Sequence, residues 1–246
     1  MTQKRLLPRA PVMTLPPAFR PMIELWGQTY PIRNVSEGGI GIWMPVQPSQ
    51  KFKNRTETDA TISVGETAYL VRIKLAHYSN RVLGAQVLNV PPELRKTFEY
   101  WLAPAREAHN LVMREGSGEV DHGLGYPRLW MTGPTGSELI VWYNESSFMI
   151  LALQVVFQST WVYRRQFHPA ESGELPRTSR IPLGIKVEEE LLSRRDLSAD
   201  GDALQQTAVF LGAVPPPTPG NLLWQFLESG EQVFLPAEIF RSLKVA

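Results

Sequence analysis

Five residues near the N-terminus have the types and spacing needed to bind a planar anion. Arg5 and Arg9 stand four positions apart in a proline-interrupted segment, and Asn34, Ser36 and Gly39 follow further along the chain. A guanidinium group is a planar fork of donors that binds a phosphate or the edge of a base with two parallel hydrogen bonds. Asn and Ser add short polar groups, and glycine lets a backbone approach closely. The pattern indicates noncovalent binding of an anion.

The second group of these residues lies in a polar, glycine-rich corner between two strand-like runs. Asn34 and Ser36 have the same parity, so both side chains are predicted to leave the strand on one face. Gly38 and Gly39 are predicted to supply the positive φ and the bare backbone that a sharp reversal needs. The same composition is also typical of an ordinary hairpin turn, so the corner alone does not distinguish a ligand site from a turn.

The surrounding sequence predicts a β domain that ends in a helix. Residues 1–17 contain four prolines and no apolar period, so they are predicted to be extended, with both arginines projecting. Strands are predicted at 18–26, 29–35, 40–44, 61–64, 67–75 and 81–90. A helix is predicted from Pro92 to 102, broken at Pro104 and resumed to about 114. The segment 116–118 is the predicted linker.

The RxxxR spacing of Arg5 and Arg9, followed by the NxSxxG spacing of Asn34, Ser36 and Gly39, resembles the PilZ domain family of bacterial cyclic di-GMP receptors. The resemblance covers residues 4–104. It implies a six-stranded β-barrel closed by a helix, with a flexible N-terminal segment that orders around the ligand. It also implies a bacterial signalling role in motility or biofilm control, with cyclic di-GMP as ligand and no cofactor.

The resemblance assigns a role to each motif residue. Arg5 and Arg9 would grip phosphates or guanine O6/N7 edges, since arginine donates two hydrogen bonds to either. Asn34, where the family often has Asp, would offer its amide to the guanine edge, and Ser36 would donate its hydroxyl. Gly39 would let the ligand approach the backbone. Arg33 either adds positive potential beside the motif or is an ordinary solvated strand residue.

Composition excludes several classes of partner. Lys plus Arg is 25 against 24 acidic residues, so no global field directs the chain to a nucleic acid polymer. Cysteine is absent, which excludes thiol catalysis and thiolate metal sites and is consistent with a cytoplasmic protein. Prolines interrupt the apolar N-terminus and argue against export. The uncharged run 146–163 holds polar residues and favours two buried strands over membrane insertion.

The complete sequence predicts a mainly β protein with some α. Its predicted domains are a barrel at 1–115 and an α+β domain at 120–246, which serves output or interaction with a protein partner. In the second domain, strands are predicted at 128–132, 139–143, 148–157 and 160–167, and helices at 187–195 and 203–211. Proline-rich residues 215–220 are predicted to be a stiff connector before a final helix at 236–243.

Enzymatic function is not expected. The four histidines His77, His109, His122 and His168 form no HxH or HExxH motif, and no GxSxG is present. Asp121 and His122 are adjacent residues in a glycine-flanked loop, which seldom face each other as an acid–base pair. The favoured function is a cyclic di-GMP receptor that relays the signal to its second domain or to a partner. The alternatives are an adaptor with a barrel that binds no nucleotide, and an enzyme with its active site in 120–246.

Overall fold

A computed structural model describes residues 8–15, 17–45, 55–158, 161–166, 178–182, 201–215, 218, 220–229 and 232–239. The chain divides into two compact units, Met1–Arg106 and Glu107–Ala246. The division lies inside the helix α1 (Pro92–His109), whereas the predicted domains were 1–115 and 120–246. No helix of the described residues is long and apolar enough to cross a membrane.

The first unit contains a closed barrel of six antiparallel strands, which confirms the predicted mainly β fold and N-terminal barrel. The strands are β1 (Met22–Leu25), β2 (Gln28–Ser36), β3 (Gly39–Trp43), β4 (Glu57–Val64), β5 (Thr67–Ser79) and β6 (Val82–Val87). Their order around the barrel is β1-β2-β3-β6-β5-β4, and β4 pairs with β1 to close it.

Aliphatic side chains on alternate positions fill the barrel. The members with no exposed surface include Ile23, Ile32, Ile42, Ile62 and Ile73. Each such side chain stabilises the fold by about 1.5–3 kcal/mol relative to its exposed state. Because successive side chains of a strand point to opposite faces, these inward residues determine which of their neighbours lie on the outer face of the barrel.

The N-terminal segment is packed on the barrel from residue 10 to residue 15, so the prediction that residues 1–17 are extended is wrong there. Ala10, Val12 and Leu15 have no exposed surface, and Val12–Thr14 forms a 3₁₀ helix. Residues 18–21 do not join the first strand, which was predicted to begin at 18, and Phe19 is 38% exposed. Four prolines interrupt this segment, so its buried residues follow no regular apolar spacing. The sequence therefore did not predict that they are buried.

Helix α1 runs without interruption through Pro104, so the predicted break is wrong. An internal proline costs about 3 kcal/mol because it removes one hydrogen bond and crowds the preceding turn. Buried apolar side chains lie on both sides of this proline: Leu94, Trp101 and Leu102 before it, Ala105 and Ala108 after it. Burial along the whole helix offsets that cost.

The second unit contains one antiparallel sheet with the strand order β12-β11-β10-β9-β8-β7. Its strands are β7 (Val112–Met113), β8 (Arg128–Thr132), β9 (Glu138–Tyr143), β10 (Ile150–Phe157), β11 (Trp161–Gln166) and β12 (Thr178–Pro182). Two helices, α2 (Gly201–Ala213) and α3 (Gly220–Ser229), contact β11 and β10. The predicted helix 187–195 lies outside the described residues.

Residues 116–118 form a turn within the second unit, so the prediction that they are a linker is wrong. The amide of Gly118 donates to the carbonyl of Arg128 at 2.7 Å. The Ser117 hydroxyl donates to the Trp130 carbonyl at 3.0 Å, and the Trp130 amide donates back to that hydroxyl at 3.1 Å. These bonds hold the segment to the edge of β8.

Candidate ligand-binding site

A backbone bridge joins the residue after Arg9 to the strand that carries the second motif. The amide of Ala10 donates to the Val35 carbonyl at 2.8 Å, and the Val35 amide donates to the Ala10 carbonyl at 2.9 Å. The pairing is antiparallel, so its register, continued by one residue, would set Arg9 across from Ser36. Ala10 and Val35 are both fully buried, whereas Arg9 and Ser36 are half-buried.

A β-bulge at Arg33 sets the faces of the motif in β2. The register with β3 shifts between Ile32 and Asn34, which leaves Arg33 as the extra residue of the bulge. Ile32 and Val35 are consequently both buried although their parity differs. Asn34 and Ser36 alternate with Val35 and are half-buried on the outer face, as their shared parity predicts.

The side chain of Asn34 lies over the backbone of Gly41 in the neighbouring strand. A Cβ placed on Gly41 would stand 2.9 Å from the Oδ1 and 3.1 Å from the Nδ2 of Asn34. Any side chain at position 41 would therefore displace the Asn34 amide. Gly41 was not among the predicted site residues. The one sequence feature that could have indicated it is its GxG spacing with Gly39.

The Ser36 hydroxyl closes the turn from β2 to β3. It donates to the carbonyl of Gly39 at 3.1 Å, so it already has an acceptor within the corner. Its oxygen retains acceptor capacity, and a ligand acceptor would have to compete with the Gly39 carbonyl for its proton. Ser36 thus serves the hairpin and lies at the same time on the face shared with Asn34.

Gly39 is required by the barrel itself, and only one of the two predicted positive-φ glycines has that conformation. The φ of Gly39 is +142°, whereas Gly38 lies outside the positive-φ range, which corrects the prediction for Gly38. A Cβ on Gly39 would overlap the carbonyl oxygen of Ala85 and lie 3.0 Å from the α-carbon of Gln86. The close approach that Gly39 permits is to β6.

Arg33 is directed to an aromatic ring at the end of β3. Its guanidinium carbon lies 5.9 Å from the ring centroid of Trp43, at the outer limit of a cation–π contact. The Arg33 side chain is exposed, so this contact contributes about 0.5–1 kcal/mol at most. Arg5 lies outside the described residues.

A network of three charged side chains, which the sequence did not predict, lies at the β2–β3 corner. Arg106 of α1 donates to one carboxylate oxygen of Glu37 through Nε at 3.1 Å and Nη2 at 2.8 Å, and to Glu99 through Nη1 at 3.0 Å. Burial tends to lower the pKa of Arg106, but the hydrogen bonds and charges of Glu99 and Glu37 outweigh it and raise the pKa above its ordinary value. The Glu37 carboxylate in the motif turn is therefore charge-paired.

In the second unit, Asp121 is a structural acceptor. Its carboxylate accepts from the Gly123 amide at 2.7 Å, the Trp142 indole at 3.0 Å and the Arg128 guanidinium at 2.8 Å. Burial tends to raise the pKa of Asp121, but these three donors outweigh it and lower the pKa below its ordinary value. A carboxylate with a lowered pKa and several donors is a weak base, which disfavours an Asp121–His122 acid–base pair.

No protein-family model matches the sequence, and no curated protein matches it.

Proposed function

We propose that this protein is a cyclic di-GMP receptor with a PilZ-like barrel, and that the ligand binds on the outer face at the β2–β3 corner. The observation that supports the proposal most strongly is the Ala10–Val35 bridge, because its register, continued by one residue, would set Arg9 across from Ser36. In this proposal Arg9 and Ser36, although far apart in the sequence, contribute to one binding surface. Asn34 lies on the same face, one alternation away.

The chemistry of this surface suits a ligand with two guanines and two phosphates. The guanidinium of Arg9 donates two hydrogen bonds to a phosphate or to guanine O6 and N7, and the Asn34 amide offers both a donor and an acceptor. The carboxylate nearest the motif, Glu37, is neutralised by Arg106, which reduces its repulsion of a phosphate. Arg5 would supply the second guanidinium of the motif.

In this proposal the chain performs no chemistry. It is a cytoplasmic receptor, and the second unit is an α+β output domain that contacts a protein partner. Ligand binding changes the surface at the corner, and that change alters the contacts of the second unit or of the partner. By analogy with the family, the regulated process is motility or biofilm formation.

Titration calorimetry of the full chain with cyclic di-GMP tests the proposal, with cyclic di-AMP as the matched control ligand. Adenine presents an N6 amino donor where guanine presents the O6 acceptor, so an arginine that reads guanine would meet another donor. We expect cyclic di-GMP to bind at least about 100-fold more tightly, from two or more lost hydrogen bonds. Equal affinities would show that the protein does not recognise the guanine base and binds the ligand only through its phosphates.

The competing function is a barrel that binds a partner protein without nucleotide. The observation in its favour is that the barrel alone accounts for two motif residues: Ser36 bonds to the Gly39 carbonyl, and Gly39 fits against Ala85. If the adaptor reading is right, neither dinucleotide will release heat or shift the melting temperature. The same titration therefore separates the two functions.

A further inference from the structure

One row of residues crosses four neighbouring strands on the outer face of the barrel. Asn34 of β2 is the register partner of Gly41 in β3, and Gly41 is the partner of Gly84 in β6. Gly84 is in turn the partner of His77 in β5. With about 4.8 Å between adjacent strands, the row is about 14 Å long from end to end when it is followed along the curved sheet.

Both end residues fold their side chains over the glycine next to them. A Cβ on Gly84 would stand 2.7 Å from Cε1 and 2.9 Å from Nδ1 of His77. The Gly41 position is covered in the same way by the Asn34 amide. The two polar groups therefore lean toward each other from opposite ends of the row.

His77 is brought to this face by a second bulge. The register between β5 and β6 shifts between Leu75 and His77, and Leu75 is fully buried. The neighbours of Gly84 in β6, Leu83 and Ala85, are also buried, so Gly84 and the imidazole above it belong to the outer face. The His77 side chain is exposed, which leaves it accessible to a ligand.

We propose that His77 contacts the ligand directly and that the binding surface extends from the β2–β3 corner across β6 to β5. This inference rests on the function proposed above. An imidazole offers a ring nitrogen as donor or acceptor and a flat face for stacking on a base. None of the four residues in the row is acidic, so the row itself adds no carboxylate that would repel a phosphate. In this inference the Asn34 amide and the His77 ring contact one guanine while Arg9 binds a phosphate.

The test is the cyclic di-GMP affinity of the full-length His77→Ala variant, with His122→Ala as the matched control. His122 is an exposed histidine in a loop of the second unit. Loss of one hydrogen bond and one stacking contact should weaken binding about 5- to 50-fold in His77→Ala, and His122→Ala should bind as the parent does. Gly84→Ala should weaken binding similarly, because its methyl group displaces the imidazole.

A second readout uses the imidazole signals of the parent protein, which has only four histidines. In carbon-correlated proton spectra, ligand should shift the His77 signal and leave the His122 signal in place. This measurement needs no variant, so it decides the matter if His77→Ala does not fold.

The outcomes distinguish the inference from the proposed function. If the parent does not bind cyclic di-GMP, the proposed function fails and this inference fails with it. If the parent binds, Arg9→Ala weakens binding and His77→Ala binds within twofold of the parent, the inference alone is overturned. An unmoved His77 signal at saturating ligand overturns it as well.

Discussion

Ala10 and Val35 exchange two backbone hydrogen bonds, with N···O distances of 2.8 and 2.9 Å. Strand β1 pairs with β2 only from Gln28 to Pro31, so this edge of β2 is not paired with β1 at Val35. Ala10 satisfies the Val35 donor and acceptor on that edge, as a buried backbone group requires. Main-chain pairing therefore fixes the backbone next to Arg9.

Removing the two arginines of the motif should abolish most of the ligand affinity. Each charge-assisted hydrogen bond contributes about 1.5–3 kcal/mol, so the Arg5→Ala, Arg9→Ala double variant should lose about 3–6 kcal/mol, or two to four orders of magnitude in Kd. Calorimetry gives the Kd, and urea unfolding shows whether the fold is intact. Arg72→Ala, which removes an exposed arginine of β5, is the control and should bind normally. Affinity of the double variant within threefold of the parent would disprove the motif assignment.

Breaking the bridge at Ala10 should weaken binding without any change to a side chain that meets the ligand. Ala10→Pro removes the donor to the Val35 carbonyl, whereas Ala10→Gly keeps both hydrogen bonds. We expect the proline variant to lose about as much affinity as Arg9→Ala and the glycine variant to stay close to the parent. Hydrogen exchange at the Val35 amide reports the bridge, and it should accelerate only in Ala10→Pro. Normal binding together with fast exchange would show that the bridge does not position Arg9.

The two adjacent glycines of the corner should respond differently to an added methyl group. Gly39→Ala forces a positive φ on alanine and overlaps the Ala85 carbonyl, so it should lower the free energy of unfolding by more than about 2 kcal/mol. Gly38→Ala meets no atom within 4 Å, so we expect a neutral effect or stabilisation of up to about 1 kcal/mol. Urea unfolding of the two variants measures both values. Equal destabilisation would contradict the different roles of the two glycines.

The second unit should lose stability in acid partly through Asp121. The pKa of this carboxyl is lowered in the folded state, so its contribution is fully present above its unfolded pKa of about 3.9 and is lost as pH falls through the folded value. Asp121→Asn removes that contribution at neutral pH. Its stability should therefore fall less steeply than that of the parent between about pH 4 and pH 2.

Urea unfolding at each pH gives the comparison, and Glu119→Gln, which changes an exposed carboxylate of the same loop, controls for the loss of one negative charge. Parallel profiles for the parent and Asp121→Asn would show that the carboxylate is not stabilised by its three donors.

Local chemistry in the sequence determined the strands of the barrel and the corner between β2 and β3. Apolar residues at every second position, such as Val71, Ile73 and Leu75 in β5, predict a strand with one buried face, because the side-chain period of a strand is two residues. The shared face of Asn34 and Ser36 followed from the same parity. The cost of a proline in a helix is also local, so the sequence predicted a break in α1 at Pro104. Burial of apolar side chains on both sides of the proline keeps the helix continuous.

Only the tertiary structure decided which distant residues meet at the corner. Arg106 stands 69 residues from Glu37, and the pairing of Ala10 with Val35 and of Gly41 with Gly84 joins segments that no spacing rule connects. Closure of the barrel sets the pairing of Gly41 with Gly84, because the register of each strand follows from burial of its apolar face against the others. The other two pairs depend on how helix α1 and the N-terminal segment pack on the barrel. The sequence contains Asn34 and His77, and the register of the closed sheet puts them in one row with Gly41 and Gly84 between them.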